Sequence, residues 1–207
     1  MTAPASDATP ESAGLVPLSL ARPIWDRFFA VAPLVLVGTR EGEGYDLAPK
    51  HLALPLGWED RYAFVCTPRH ATYRNVLEHR AFTVSFPTAE QIVGVSLAAA
   101  PRADDGAKLG LAALPTFPAR AVDGVLVEGC RLHLECELDR VVDGFGDASL
   151  VVGRIVAAWA DEASLRSAER DDADVIHRRG VLAYLAPGRF ADVRDSRSFP
   201  YPVDFSR

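Results

Sequence analysis

Methionine occurs once and cysteine only three times in the 207 residues. Cys66, Cys130 and Cys136 form no C-x-x-C pair and are odd in number, which argues against the disulfide framework of a small secreted domain. They read instead as small apolar residues on strands. Basic blocks are absent too: Lys and Arg number 22 against 28 Asp and Glu, a net charge of −6. Nucleic-acid binding takes most of its affinity from cations on phosphates, so this chain is a poor candidate for it. A small anionic ligand stays open, because it needs only two or three local cations. No apolar run approaches the roughly 18 residues of a membrane helix. Residues 1–12 carry neither the basic start nor the apolar centre of a secretory leader, and the cytoplasm is the expected location.

Several chemical signatures are also missing. There is no G-x-S-x-G elbow and no Walker pattern. His51, His70, His79, His133 and His177 are scattered, with no H-x-x-x-H or H-E-x-x-H, so no metal site is expected. The G-x-G at 144–146 falls between two strand-like runs, whereas a dinucleotide fingerprint joins a strand to a helix.

What is present is a series of short apolar runs punctuated by Gly and Pro. Residues 1–14 read as a tail of small polar residues and proline, and 15–207 as one domain. Ile24, Trp25, Phe28 and Phe29 share a helical face, which predicts a helix over 21–30. Residues 33–40 read as a buried strand, 41–44 as a hairpin turn, and 45–58 as a returning strand broken by Pro49 and Pro55. Strands are expected at 62–67 and 82–86, with a helix at 70–80 between them. Thr88 suits an N-cap for a helix over 90–100, and a second helix is expected at 107–113. Residues 126–142 and 149–159 form the long strands of a hairpin. A polar, partly helical stretch covers 161–173, and 181–193 closes with a small hairpin around Pro187-Gly188. The aromatic end, 198–205, is extended. Strands in hairpins with helices between them favour a mainly β (α+β) fold of antiparallel strands over a doubly wound sheet.

Two segments carry chemical potential. Asp46, Leu47, Ala48, Pro49, Lys50 and His51 follow a hairpin and are kinked by proline. A kink frees backbone N–H and C=O groups that suit a flat heterocycle with polar edges. Thr67, Pro68, Arg69, His70 and Thr72 run from a strand end into a helix start. Unpaired helical N–H groups beside Arg69 and Arg74 can hold a phosphate. Each segment also reads as ordinary surface structure; together they offer a ring site and a phosphate site.

In order and spacing these pieces resemble the flavin-reductase-like family of FMN-binding split barrels. The resemblance rests on Pro33-Leu-Val-Leu-Val-Gly-Thr-Arg40 with Leu47-Ala48-Pro49, on Thr72, Asn75 and Phe82-Thr-Val-Ser-Phe86, on Gly146-Asp147 with Leu150-Val-Val-Gly-Arg-Ile-Val156, and on Leu182-Ala-Tyr-Leu185 with Gly188-Arg-Phe190. It spans about residues 30–193. It implies a split β-barrel of antiparallel strands with flanking short helices, usually a homodimer. It implies that residues 46–51 line the ring of FMN, with FAD as the alternative. It also implies that 67–72 approach the phosphate, and that Ser198, Phe199 and Pro200 close over the site. Two departures stand out. Ala148 replaces the histidine that usually follows Gly-Asp in the reductases, and Lys50-His51 replaces small polar residues.

The resulting expectation is an FMN-binding oxidoreductase, a flavin reductase fed by NAD(P)H, with a monooxygenase among its conceivable partners. Two alternatives stay open. One is a flavin-binding electron carrier or flavin store without NAD(P)H turnover, which Ala148 motivates. The other is a module for a different cofactor on the same barrel, such as a deazaflavin, or a haem with His51 or His70 as axial ligand.

Overall fold

The computed structural model describes residues 9–103 and 106–201. Its centre is a seven-stranded antiparallel sheet in the order β3-β2-β6-β9-β10-β5-β4. These strands are β2 (Val35–Glu41), β3 (Gly44–Lys50), β4 (Ala53–Pro55), β5 (Arg61–Cys66), β6 (Ala81–Phe86), β9 (Leu132–Phe145) and β10 (Ala148–Ala160). A three-stranded sheet joins β1 (Ala30–Pro33) to β11 (Val181–Ala186) and β12 (Arg189–Val193), and a two-stranded one pairs β7 (Thr116–Pro118) with β8 (Val125–Val127). The helices are α1 (Ala71–His79), α2 (Ile92–Leu97), α3 (Leu109–Ala113) and α4 (Asp172–Arg179). This is the mainly antiparallel split barrel with short flanking helices that the sequence predicts.

The run Leu34-Val35-Leu36-Val37 is buried at every residue because β2 is covered on both faces. Val35 and Val37 join one core with Phe64, Phe82, Cys136, Val151 and Val76 of α1. Leu34 and Leu36 join a second core with Leu47, Leu114, Val127 and Val95 of α2. The long β9–β10 hairpin slips register at three places, and such bulges increase twist and curl a sheet. Gly153 lies at one of them. A Cβ there would press into the Phe82 ring and stand 2.9 Å from Cys136 Cβ, so only glycine lets the two layers close.

Four local expectations change. The strand expected over 126–142 divides at the turn 128–131 into β8 and β9, which belong to different sheets. Between 21 and 30 only a 3-10 turn, Ile24–Asp26, forms. Trp25, Phe28 and Phe29 are 60–68 % exposed, and a ten-residue helix without a packing partner is marginal. Pro49 does not break its strand: β3 is a sheet edge, where a missing N–H is tolerated, and the interruption falls at His51-Leu52. Within 161–180 the 3-10 turn Glu162–Ser164 comes first, and the α-helix starts only at Asp172. There the Asp171 carboxylate accepts from the N–H groups of Ala173 (2.8 Å) and Asp174 (3.3 Å). Of the expected N-terminal tail, residues 1–8 lie outside the described residues, and 9–14 form turns. Of the aromatic end, 202–205 lie outside them as well. Among the described residues no helix is long and apolar enough to cross a membrane.

One buried charge organises the loop between β7 and β8. Glu135 is fully buried, yet its Oε2 accepts the N–H groups of Arg120 (2.9 Å), Ala121 (2.5 Å) and Val122 (3.2 Å), and its Oε1 accepts Trp159 Nε1 (2.7 Å). Burial alone would raise its pKa; the bonds from Trp159 and the three amides outweigh it and hold the carboxylate below its ordinary range. Stability from such a group is present above the unfolded value, about 4.3, and is lost as pH falls through the lower folded value. Glu135→Gln is therefore expected to cost about 1–3 kcal/mol at pH 7. Urea denaturation of both proteins between pH 7 and 3 should show that gap closing in acid.

Candidate functional site

The two chemically loaded segments meet. A cavity of about 460 Å³ is lined by Asp46, Ala48, Pro49 and Lys50 of β3, by Arg69, His70, Ala71 and Thr72 at the start of α1, and by Ala98–Arg102 and Lys108 between α2 and α3. That size suits a bound small molecule. Its position follows from packing. Val76 anchors α1 in the first core and Val95 and Ala98 anchor α2 in the second, so the two layers meet around the free edge of β3.

The start of α1 is held from two sides. Asn75 Nδ2 donates to Thr39 Oγ1 of β2 at 3.0 Å, in the buried layer. One turn earlier Thr72, 2 % exposed, faces the cavity. The preceding turn closes with the His70 N–H on the Thr67 carbonyl at 3.0 Å, and Arg74 Nη1 braces the Arg69 carbonyl at 2.6 Å. No side chain caps the helix at His70, so first-turn N–H groups are left to a ligand or to water. Partial burial, with Lys50, Arg69 and Arg74 nearby, pulls the His70 pKa down, so the positive character here comes from the other side chains.

The cavity counts four cations and two carboxylates in its wall, and the pairing decides which charge is available. Lys108 Nζ sits 3.0 Å from Asp46 Oδ1 with both side chains at least nine-tenths buried, and it also donates to the Ala100 carbonyl at 3.0 Å. Arg102 is bound to Glu41 and to the carbonyls of Tyr45 (2.9 Å) and Gly106 (2.8 Å). These two cations staple the α2–α3 connection onto β3. Among the described residues Lys50 Nζ meets only the Cys66 thiol, at 3.4 Å, and the Arg69 guanidinium only an exposed Asp147, at 3.5 Å. Lys50 and Arg69 are the charges open to an anion.

Of the residues the sequence singles out, the structure brings Asp46, Ala48, Pro49, Lys50, Arg69 and Thr72 to this cavity. Asp46 spends its carboxylate on Lys108. Leu47 points the other way, into the second core, because successive strand residues alternate. His51 borders a neighbouring cavity and stacks on Tyr184 at 4.6 Å. Thr67 and Pro68 form the turn that carries Arg69 and do not line the space. Sequence reasoning misses the third wall, with Arg102 and Lys108, because that connection has no local pattern of its own.

The chain matches the flavin reductase like domain over residues 29–186. It belongs to that family. Its fold is similar to a flavoredoxin from Methanosarcina acetivorans (17% identity, TM-score 0.72, 89% of this chain and 94% of the other). It is similar to an FMN-binding protein from Thermus thermophilus (25% identity, TM-score 0.68, 83% and 91%) and to nitrilotriacetate monooxygenase component B from Bacillus cereus (20%, 0.69, 83% and 88%). No relative was found among curated proteins.

The Asp46–Lys108 pair yields a prediction. Asp46→Asn leaves a buried ammonium without its counter-ion and is expected to cost about 3 kcal/mol. Adding Lys108→Met should restore most of that loss. A double-mutant cycle in urea measures the coupling, and additive losses would show that the two groups do not act as a pair.

Proposed function

We propose that this protein is an FMN-binding oxidoreductase that accepts hydride from NAD(P)H in the manner of a flavin reductase. The observation that carries the reading is the meeting of the β3 edge and the uncapped start of α1 at one cavity, with Lys50 free of a carboxylate among the described residues and Arg69 held only by an exposed one, Asp147. The residues fit the cofactor. Arg69, the Thr72 hydroxyl and the first N–H groups of α1 suit a phosphate monoester. The free edge of β3 at Ala48–Lys50 offers backbone groups to the polar rim of a ring, and Lys50 adds a cation beside it. FMN, when bound, supplies the hydride and electron chemistry that no side chain here offers. The chain's own part is to bind the phosphate, orient the ring along β3 and hold positive charge near it; FAD is the alternative ligand of the same site.

Membership of the family, together with the FMN-binding character of the Thermus relative, supports the flavin reading. The Bacillus relative, by its name one component of a monooxygenase, supports a partner monooxygenase as the consumer of reduced flavin. A homodimer completes the reading. The exposed Trp25, Phe28, Phe29 and Val31 before and on β1, with Leu54 on the edge strand β4, offer apolar surface for it. Three free, buried cysteines suit the cytoplasm. A flavin-binding electron carrier is the second reading, favoured by Ala148, which places a methyl group at the start of β10 where reductases of this type usually carry histidine.

An absorbance spectrum with added FMN tests these readings. Retained bands near ~450 nm that bleach with NADH or NADPH are expected for the reductase, and bands that persist assign the carrier. Loss of all flavin on gel filtration would remove stable binding. For the phosphate, Arg69→Glu is expected to weaken FMN by about tenfold or more while leaving riboflavin, which has no phosphate, nearly unchanged. Equal losses for both would take Arg69 out of that role.

A further inference from the structure

A second cavity, of about 450 Å³, adjoins the first and shares Pro49 and Ala99 with it. Its wall is mostly apolar: Leu34, Ile92, Val95 and the rings of Tyr184 and Phe190. In a chain of net charge −6 its lining holds no Asp or Glu. Besides the hydroxyls of Ser96 and Tyr184 it holds two side chains with nitrogen donors, His51 and Arg189.

The state of His51 follows from its surroundings. Burial, with the charge of Lys50 next to it, lowers its pKa and keeps the imidazole neutral near pH 7. Its Nδ1 is buried and has no hydrogen-bond partner. A stranded N–H costs more than a stranded lone pair, so the single proton belongs on Nε2. Nε2 is neither sealed in nor bonded to protein among the described residues, so His51 offers one N–H donor. The ring is fixed against Tyr184 at 4.6 Å. Arg189, at the other end of the β11–β12 turn, makes no ion pair or side-chain hydrogen bond among the described residues.

We infer that this cavity binds a small aromatic carboxylate, with its ring among Leu34, Val95 and Tyr184 and its carboxylate reached by the His51 N–H and the Arg189 guanidinium. An apolar body with one anionic end matches an apolar wall with two nitrogen donors and no acidic residue. Binding needs no flavin. The inference rests on the flavin reading only in making this ligand the neighbour, and so the candidate effector, of a ring held in the first cavity.

Calorimetry on the flavin-free protein tests the site with benzoate, benzamide and acetate. Benzoate is expected to bind about tenfold or more tightly than benzamide, which lacks the charge, and than acetate, which lacks the ring. Arg189→Gln, at an exposed position, should bring benzoate down to the level of benzamide and leave benzamide and FMN unchanged. His51→Phe keeps the stacking partner of Tyr184 and removes the N–H, and should weaken benzoate and benzamide alike. Benzoate no tighter than acetate, or benzoate unaffected by Arg189→Gln, would overturn the inference. Failure of the protein to retain FMN while benzoate still binds would count against the flavin reading and leave this site standing.

Discussion

A strand that is apolar on both faces has to be covered on both faces, and most of this structure answers that requirement. Four consecutive buried residues of Leu34–Val37 cannot lie on a solvated sheet, since every second one would face water. Burying a Val or Leu side chain gains roughly 1.5–3 kcal/mol, so leaving one face open would forfeit several kcal/mol. The chain supplies α1, through Val76, to one core and α2, through Val95 and Ala98, to the other. The next strand out, β3, is the sheet edge, and the two helical layers cannot both wrap it completely. The site lies in what remains between them.

The strands were largely legible because their signals are local. Residues 35–41, 61–66, 81–86 and 148–160 pair much as their β-branched runs suggest. β7 and β8, three residues each, carry too few side chains to show a period. The 21–30 helix fails because a shared apolar face matters only when something packs on it. The α4 signal was present but crossed a boundary drawn too early: Asp171, Asp172 and Asp174 at one end and His177, Arg178 and Arg179 at the other complement a helix dipole. In the site, Lys50, Arg69 and Thr72 were legible from chemistry beside a proline-bearing strand and a helix start. The use of the Asp46 carboxylate is not legible, because its partner, Lys108, lies 62 residues on in a connection without a motif.

Pairing, more than the number of cations, sets the electrostatics of the cavity. Arg102 and Lys108 bring charge into the wall but give it to Glu41 and Asp46, and their net effect is to fasten the α2–α3 connection to the edge strand. The buried Lys108–Asp46 pair adds little attraction for a ligand, and breaking it leaves an unpaired charge; the Arg102–Glu41 pair is only half-buried. Among the described residues Lys50 has no carboxylate partner, and Arg69 has an exposed one, Asp147 at 3.5 Å. An acidic chain thereby keeps a local positive field at one place, set by which carboxylates are near and which are absent.

The end of β3 then separates two kinds of chemistry over one peptide bond. Lys50 is the last residue of the strand, and the chain bends at His51. Lys50 turns to the first cavity and the Cys66 thiol, and His51 to the second and the Tyr184 ring. The lysine charge still reaches the imidazole and, with burial, disfavours its protonation. Lys50 thus lines the first cavity while adding to burial, the larger cause, in keeping its neighbour His51 from protonation. The replacement of small polar residues by Lys50-His51 gives both cavities their character at once, and a substitution at Lys50 would be felt in the second cavity through His51 as well as in the first.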